Sequence, residues 1–204
     1  MLRILMSAVL VATFVTAVGA EDRPIAASAK EVVPLKARDM LPHVSVKDAA
    51  GKSVKLSAYH EDGPLVIVFF RGSWCPICTR HFQDLIKAHP GITKLGAKLV
   101  AISPDTVENT KGNTDKLRIP FPLLSDSDLV ATKAFGLAFT VDEATITKYK
   151  GFGIDLEKAS GRDHHALPVP AVYIVDKAGK NKFAHSHPDY TKRLDVETIL
   201  AELK

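Results

Sequence analysis

The stretch that decides the fold is Leu65-Val66-Ile67-Val68-Phe69-Phe70-Arg71-Gly72-Ser73-Trp74-Cys75-Pro76-Ile77-Cys78. It opens with a run of apolar, β-branched and aromatic residues, which is typical of a strand covered on both faces. After a polar break the period changes, and Phe82, Leu85 and Ile86 fall on one face of a predicted helix. Pro76 suits the first turn of that helix, where its missing N–H costs nothing. The stretch therefore predicts a strand, a turn and a helix, with the cysteines at the start of the helix.

Strands and helices alternate on either side of this stretch. Two more continuous apolar runs, 98–103 and 171–175, predict further buried strands. Residues 138–166 show no clean period, so we interpret them as an irregular insertion. Weaker patterns predict short strands within 44–56 and 121–125, a hairpin turn at 176–180, and helices over 104–117, 129–135 and 194–203. The alternation predicts one α/β domain with a central mixed β-sheet flanked by helices on both faces.

The first twenty residues have the pattern of an export signal. Met1-Leu2-Arg3 is a short basic start, residues 4–20 carry no charge, and the run ends in the small residues Val18-Gly19-Ala20. A membrane anchor is the alternative, but polar residues dilute this run and its length is marginal for a span. We expect a cleaved signal peptide at 1–20 and a flexible N-terminal arm at 21–40. The mature chain would then be exported, periplasmic or secreted, and not embedded in a membrane.

Composition and charge exclude several classes of protein. Of the 204 residues, 46% are hydrophobic and 25% are charged, close to the globular average, which excludes a disordered chain, a collagen and a multi-span membrane protein. The formal net charge is +4, but the basic residues are scattered along the sequence. We therefore expect a solvated surface and no nucleic acid partner.

The strongest chemical signal is the C-x-x-C motif formed by Cys75 and Cys78, the 2 cysteines of the sequence. A thiolate at a helix N-terminus is stabilised by unpaired N–H groups and the helix dipole, so its pKa falls. One helical turn brings the two sulfur atoms close enough to bond. The pair is therefore predicted to cycle between dithiol and disulfide.

Five residues are candidates to support this dithiol. Arg71 and Arg80 add positive charge near it, and His81 is a candidate to donate to a thiolate or to shuttle a proton. Trp74 either shapes the face around the dithiol or simply packs at the end of the strand. Pro170 either begins a strand in the ordinary way or has a cis peptide bond that places backbone against the dithiol.

Two other interpretations of the cysteines are weaker. A structural disulfide across so short a loop would constrain few residues and stabilise little. A metal site needs more ligands than two thiolates, although His81 is a candidate third ligand. A metal-binding or scaffold protein could also use His185 with His187, or His164-His165, but exposed polar histidines are the simpler interpretation. We therefore predict redox chemistry without a metal or a cofactor.

A set of motifs in a fixed order carries a resemblance to a known family. They are Leu41-Pro42, Gly51-Lys52, residues 68–78, Ile102-Ser103-Pro104-Asp105, residues 121–126, Leu167-Pro168-Val169-Pro170, Val175-Asp176, Phe183-Ala184-His185 and Asp189-Tyr190. Together they resemble the thioredoxin-fold superfamily and, within it, the peroxiredoxin-like AhpC/TSA (redoxin) family, in the subgroup with a thioredoxin-style W-C-P-x-C motif. The resemblance implies a thioredoxin-like fold for a domain of residues 41–204.

The sequence departs from the peroxiredoxin pattern at the site itself. Peroxiredoxins carry P-x-x-x-T-x-x-C, whose cysteine attacks peroxide, and neither cysteine here has that proline and threonine in register. Helix register makes Cys78 the counterpart of the attacking cysteine, with Cys75 in the place of the threonine. The arginine of the family falls on Pro170, which instead resembles the cis-proline of thioredoxins. The site resembles a peroxiredoxin scaffold that holds a thioredoxin-like dithiol.

The resemblance implies two candidate functions. In a thiol-based peroxidase, the Cys78 thiolate would attack a peroxide and Cys75 would condense with the sulfenic acid, while Arg71 or Arg80 stabilises the developing charge. In a thioredoxin-like thiol–disulfide oxidoreductase, Cys75 would attack a protein disulfide and Cys78 would resolve the mixed disulfide. We favour the peroxidase. Either enzyme needs a thiol reductant, a thioredoxin-like protein or a small thiol, and the resemblance is compatible with an oligomer.

Overall fold

The structure, a computed structural model, describes residues 23–204, so the predicted signal peptide at 1–20 lies outside the described residues. Within residues 23–204, no helix is both long and apolar enough to cross a membrane. The strands of this part are β1 (Ser45–Lys47), β2 (Ser53–Lys55), β3 (Leu65–Phe69), β4 (Lys98–Ser103), β5 (Leu123–Ser125), β6 (Ala138–Thr140), β7 (Ala166–Pro168), β8 (Ala171–Val175) and β9 (Asn181–Ser186). Its α-helices are α1 (Pro76–Lys94), α2 (Val107–Leu117), α3 (Val130–Ala134), α4 (Glu143–Gly151), α5 (Leu156–Ser160) and α6 (Val196–Glu202).

Strand β3 lies inside a mixed sheet of seven strands in the order β2-β1-β5-β4-β3-β8-β9. It runs parallel to β4 and antiparallel to β8. Helix α1 connects β3 to β4, as parallel neighbours require a crossover. These three strands are the three apolar runs of the sequence, and the predicted mixed sheet is confirmed.

Both faces of the sheet are covered. Successive residues of β3 point to opposite faces, so Leu65, Ile67 and Phe69 enter one core while Val66 and Val68 enter the other. The first core packs against α3 and part of residues 23–40, and the second packs against α1 and α6. Burial on both sides explains the unbroken apolar run, and the predicted helices on both faces are confirmed.

Residues 23–40, for which we expected a flexible arm, are hydrogen bonded to the domain. The N–H of Ala26 donates to the Ala138 carbonyl, and its carbonyl accepts from the Thr140 N–H, both at 2.9 Å. The N–H of Leu35 donates to the Phe135 carbonyl at 3.0 Å, and the Leu35 side chain is buried. The described part of this segment therefore packs against the domain, and its apolar side chains complete one face of the core.

Residues 138–166 contain regular elements, so their interpretation as an irregular insertion is wrong. Strands β6 and β7 pair with each other in a separate antiparallel sheet of two strands. Helices α4 and α5 lie between them and are capped by the Asp142 and Asp155 carboxylates, each of which accepts a backbone N–H. Apolar residues of this segment pack against Trp74 in a third, smaller core. The elements are too short to show a period in the sequence.

Candidate active site

The two cysteines lie where the chain leaves β3 and enters α1. The N–H of Cys75 donates to the Gly72 carbonyl at 3.1 Å, which closes a turn, and Cys75 is the N-cap of α1. Pro76 is the first residue of the helix, as predicted. The Cys75 carbonyl accepts the N–H of Thr79 at 3.1 Å. This junction places Cys75 and Cys78 at the positive end of a 19-residue helix.

Cys75 is the thiol that ionises more readily. Its pKa is lowered from 9.0 to about 6, chiefly by a hydrogen bond from the Cys78 thiol. Burial opposes this effect, while the Cys78 backbone and the guanidinium groups of Arg71 and Arg193 add to it. At neutral pH a much larger share of Cys75 is then thiolate than of an ordinary thiol.

Cys78 is held as the neutral partner. Cys78 is 2% exposed and Cys75 is 1% exposed, so both cysteines are shielded from water. Burial raises the pKa of Cys78 well above its usual range, and the hydrogen bond to Cys75 and the charge of Cys75 raise it further. Helix register implies that Cys78 attacks first, whereas these pKa shifts favour Cys75 as the thiol that ionises first. Register assigns residue types to positions, whereas burial and hydrogen bonding decide which of the two sulfur atoms ionises.

Arg71 is buried in an enclosure of three aromatic rings. Its guanidinium carbon lies 3.9 Å from the ring centroid of Tyr190, 5.0 Å from that of Trp74 and 5.3 Å from that of Tyr149. These distances are within the range of cation–π attraction. The guanidinium also donates to the Tyr149 hydroxyl. The enclosure holds a positive charge beside Cys75, and it gives Trp74 a contact with Arg71 as well as with the third core.

Arg193 belongs to the site and was missed by the sequence analysis. Its Nη2 donates to the Cys78 sulfur at 3.3 Å. It lies in the loop between β9 and α6, the same loop that brings Tyr190 onto Arg71. The sequence gives no signal for this contact beyond the nearby Asp189-Tyr190 motif, because Arg193 is one of 27 lysines and arginines.

Neither of the other two predicted helix residues, Arg80 and His81, hydrogen bonds to a cysteine sulfur among the described residues. Arg80 is exposed and lines an open groove of about 860 Å³ between α1 and α6. His81 is buried, and burial together with the charge of Arg193 lowers its pKa to about 4. His81 is therefore a neutral imidazole at physiological pH and has no proton of an imidazolium to give to a thiolate.

Pro170 is buried between β7 and β8, but its peptide bond is trans, since residues 23–204 contain no cis peptide. The cis form implied by the resemblance to thioredoxins is therefore wrong. Only Val169 and Pro170 lie between β7 and β8, and the Val169 N–H donates to the Leu137 carbonyl at 2.9 Å. Pro170 lines a small cavity together with His81 and Arg193.

Asp105 is a buried carboxylate behind the cysteine turn, and we assigned it no role from the sequence. Its Oδ2 accepts the Ser73 N–H at 2.7 Å and the Ser103 hydroxyl at 2.9 Å. Burial raises the pKa of Asp105 to about 6, and the charge of Cys75 also raises it. Asp105 thus anchors the turn that carries Cys75.

Of the histidine pairs considered as metal ligands, His164, His165 and His187 contact other groups, whereas His185 Nε2 is buried without a hydrogen-bond partner. His164 Nε2 donates to the Ser127 carbonyl at 3.0 Å, and His165 contacts the Glu157 carboxylate at 2.8 Å. His187 accepts the N–H of Asp189 at 3.0 Å. In the part of the chain that the structure describes, no group of three or more His, Cys, Asp and Glu residues could hold a metal ion.

A mixed sheet with a two-cysteine motif at the N-terminus of the helix after a central strand defines the class of thioredoxin-fold proteins with a dithiol site. Comparison with known proteins narrows this class. The model of the AhpC/TSA family matches residues 37–183, and the chain belongs to that family.

Relatives and solved structures agree with this assignment. The chain is 32% identical over 158 residues to a chloroplastic peroxiredoxin Q from Triticum aestivum. The aligned residues make up 78% of this chain and 62% of the wheat protein. A chloroplastic peroxiredoxin Q from Sedum lineare is also 32% identical, with 78% and 73% of the two chains covered. The crystal structure of peroxidoxin BcpB from Mycobacterium tuberculosis has a TM-score of 0.66 at 21% identity and covers 83% of this chain and 96% of its own. The last likeness confirms the thioredoxin-like fold.

Proposed function

We propose that this chain is a thiol peroxidase that reduces peroxides through Cys75 and Cys78. One observation carries the proposal: a Cys75 thiolate and a neutral Cys78 thiol share the first turn of α1, with guanidinium groups beside them, in a chain of the AhpC/TSA family. The assignment to the W-C-P-x-C subgroup within that family stays a prediction.

The proposed reaction has two steps in the protein. The Cys75 thiolate attacks one oxygen of a hydroperoxide, the O–O bond breaks, and Cys75 becomes a sulfenic acid while the leaving oxygen takes a proton. The Cys78 thiol then attacks the Cys75 sulfur, the S–O bond breaks, the disulfide forms and water leaves. A thiol reductant, a thioredoxin-like protein or a small thiol, restores the dithiol. The Arg71 guanidinium, beside Cys75, supplies positive charge where the leaving oxygen becomes anionic.

Rapid mixing with hydrogen peroxide tests this proposal. The reduced mature protein is followed by the fluorescence of Trp74, the single tryptophan of the sequence, against free cysteine at the same pH. We expect wild type and Cys78→Ser to react far faster than free cysteine, and Cys75→Ser to lose the fast reaction. A wild type no faster than free cysteine would refute the peroxidase. A fast reaction kept by Cys75→Ser and lost by Cys78→Ser would instead make Cys78 the attacking sulfur.

The arrangement also supports thiol–disulfide exchange as a second candidate. Here the specific observation is that the more N-terminal sulfur, Cys75, is the one with the lowered pKa. That is the sulfur required to attack a protein disulfide before Cys78 resolves the mixed disulfide. Reduction of a model protein disulfide, measured in parallel with peroxide consumption, separates the two activities. Exchange becomes the better assignment if only the disulfide substrate turns over faster than with free thiol.

We also propose that the mature protein acts after export, because residues 1–20 have the basic start, uncharged run and small-residue end of a signal peptide. Fractionation of cells that produce the full chain tests this. We expect the mature protein outside the cytoplasm with residues 1–20 removed, and a full-length protein in the cytoplasm would contradict the proposal.

A further inference from the structure

The loop between β9 and α6 brings a cation into contact with the thiol that attacks second. Arg193 Nη2 lies 3.3 Å from the Cys78 sulfur. Its Nε is buried without a hydrogen-bond partner, so the guanidinium has donor capacity left for a further acceptor in the site. Among residues 23–204, no other cationic side chain hydrogen bonds to either cysteine sulfur.

The second step of the proposed reaction requires a buried neutral thiol to act as the nucleophile, whereas the first step starts from a thiolate. Cys75 is already a thiolate when peroxide arrives, but Cys78 is a buried thiol and must become a nucleophile at its turn. The charge of Cys75 disfavours a second thiolate beside it as long as Cys75 is reduced. Once Cys75 is a neutral sulfenic acid that opposition disappears. Burial of Cys78 remains, and it disfavours charge on this sulfur unless a partner stabilises it.

We propose that Arg193 is a catalytic residue of the resolving step, in which its guanidinium stabilises the negative charge that develops on the Cys78 sulfur. The inference rests on the proposed function. In this step the Cys78 S–H and the Cys75 S–O bonds break, the S–S bond forms, and the thiol proton leaves with the hydroxyl group as water. The hydrogen bond from Arg193 already exists in the reduced protein. The loop therefore does not have to rearrange before the guanidinium can stabilise the negative charge on the Cys78 sulfur.

Among the described residues, the charged or titratable side chains near Cys78 other than Cys75 and Arg193 make no hydrogen bond to its sulfur. Arg71 is enclosed by aromatic rings on the Cys75 side, and it donates to the Tyr149 hydroxyl rather than to a cysteine sulfur. His81 is neutral. Lys192, the neighbour of Arg193, is exposed and makes no hydrogen bond to either sulfur. Lys192 therefore provides a matched control for the loss of one positive charge from the same loop.

The test separates the two steps in time at mildly alkaline pH, where Cys75 is a thiolate in every variant. Reduced protein is mixed with one equivalent of hydrogen peroxide. Sulfenic acid is trapped with dimedone in one sample, and in a second sample without dimedone the disulfide is measured as loss of the second free thiol of each chain. In Arg193→Met we expect sulfenic acid to form within about threefold of the wild-type rate and disulfide to form about tenfold to a hundredfold more slowly, the range set by one charge-assisted hydrogen bond. We expect Arg193→Lys to recover part of the loss and Lys192→Met to match wild type.

A second measurement keeps the inference testable if the chain reduces no peroxide. A dithionitrobenzoate reagent forms a mixed disulfide on Cys75, and attack by Cys78 then releases the second aromatic thiol. Arg193→Met should slow this release by the same factor, with Arg193→Gln as a replacement if the methionine variant unfolds. A wild type without fast sulfenic acid formation would overturn the peroxidase but not the role of Arg193. Equal slowing of both steps, or an unchanged resolving step, would overturn the role of Arg193.

Discussion

Replacement of Cys78 by alanine or by serine measures what holds Cys75 as a thiolate. The structure makes the hydrogen bond from the Cys78 thiol the largest cause of the lowered Cys75 pKa. Alanine removes this donor, whereas serine keeps a hydroxyl at the same position. Each variant has a single thiol, so its titration belongs to Cys75 alone and is free of coupling between two sites.

The magnitude follows from the strength of one such bond. A Cys75 pKa of about 6 instead of 9.0 corresponds to about 4 kcal/mol in favour of the thiolate. A hydrogen bond to a charged acceptor contributes about 1.5–3 kcal/mol, or about one to two pH units. We therefore expect the Cys75 pKa to rise to about 7–8 in Cys78→Ala and to stay near 6 in Cys78→Ser.

Ultraviolet absorbance of the thiolate as a function of pH, with the rate of alkylation as an independent readout, gives both pKa values. Circular dichroism confirms that the two variants keep the wild-type fold. Equal pKa values in the alanine and serine variants would refute the hydrogen bond as the main cause. A serine variant that titrates near the ordinary thiol value would refute the lowered pKa itself.

Three further results are expected. Gly72→Ala should lower the free energy of unfolding by about 1–3 kcal/mol, because a methyl group there contacts the Trp74 indole and the Asp105 carboxylate at a φ of +148°; denaturant unfolding as stable as wild type would count against this. The reduced protein should gain stability as pH rises from about 6 towards 9, because unfolded Cys75 still binds a proton that folded Cys75 has lost. This gain disappears as pH falls through about 6, and Cys75→Ala should show no such slope in pH-dependent unfolding. His81→Gln should leave the midpoint of the pH–rate profile for peroxide near 6, since His81 is neutral above a pKa of about 4; a shifted midpoint would show that His81 takes part.

The central strands could be predicted because burial on both faces gives their sequences an unbroken apolar run. Residues of β3, β4 and β8 are buried on both faces, and a continuous apolar run has few other places in a folded chain. Residues 23–40 gave no such signal, because their contribution is a few apolar side chains and backbone pairs rather than a periodic element. Strands of three residues such as β6 and β7 are likewise too short for alternation to be visible.

The site could be predicted only as far as its local motif. Cys75, Cys78, Arg71 and Trp74 all lie within residues 71–78, and the structure brings them together. Arg193 is 115 residues from Cys78 in the sequence, so only the folded chain reveals their contact. The difference in pKa between the two cysteines also depends on the fold. It follows from burial and from one hydrogen bond between them, and neither is a property of residue spacing.

The guanidinium groups of Arg71 and Arg193 affect the reduction potential of the Cys75–Cys78 pair. In the reduced protein their positive charge is balanced by the Cys75 thiolate, whereas a disulfide carries no charge and leaves both cations without that counter-ion. Whatever stabilises the reduced form of a dithiol raises its reduction potential and makes its disulfide a stronger oxidant. The Cys75–Cys78 disulfide, once formed, is therefore expected to accept electrons readily, which favours its reduction to the dithiol by a partner thiol.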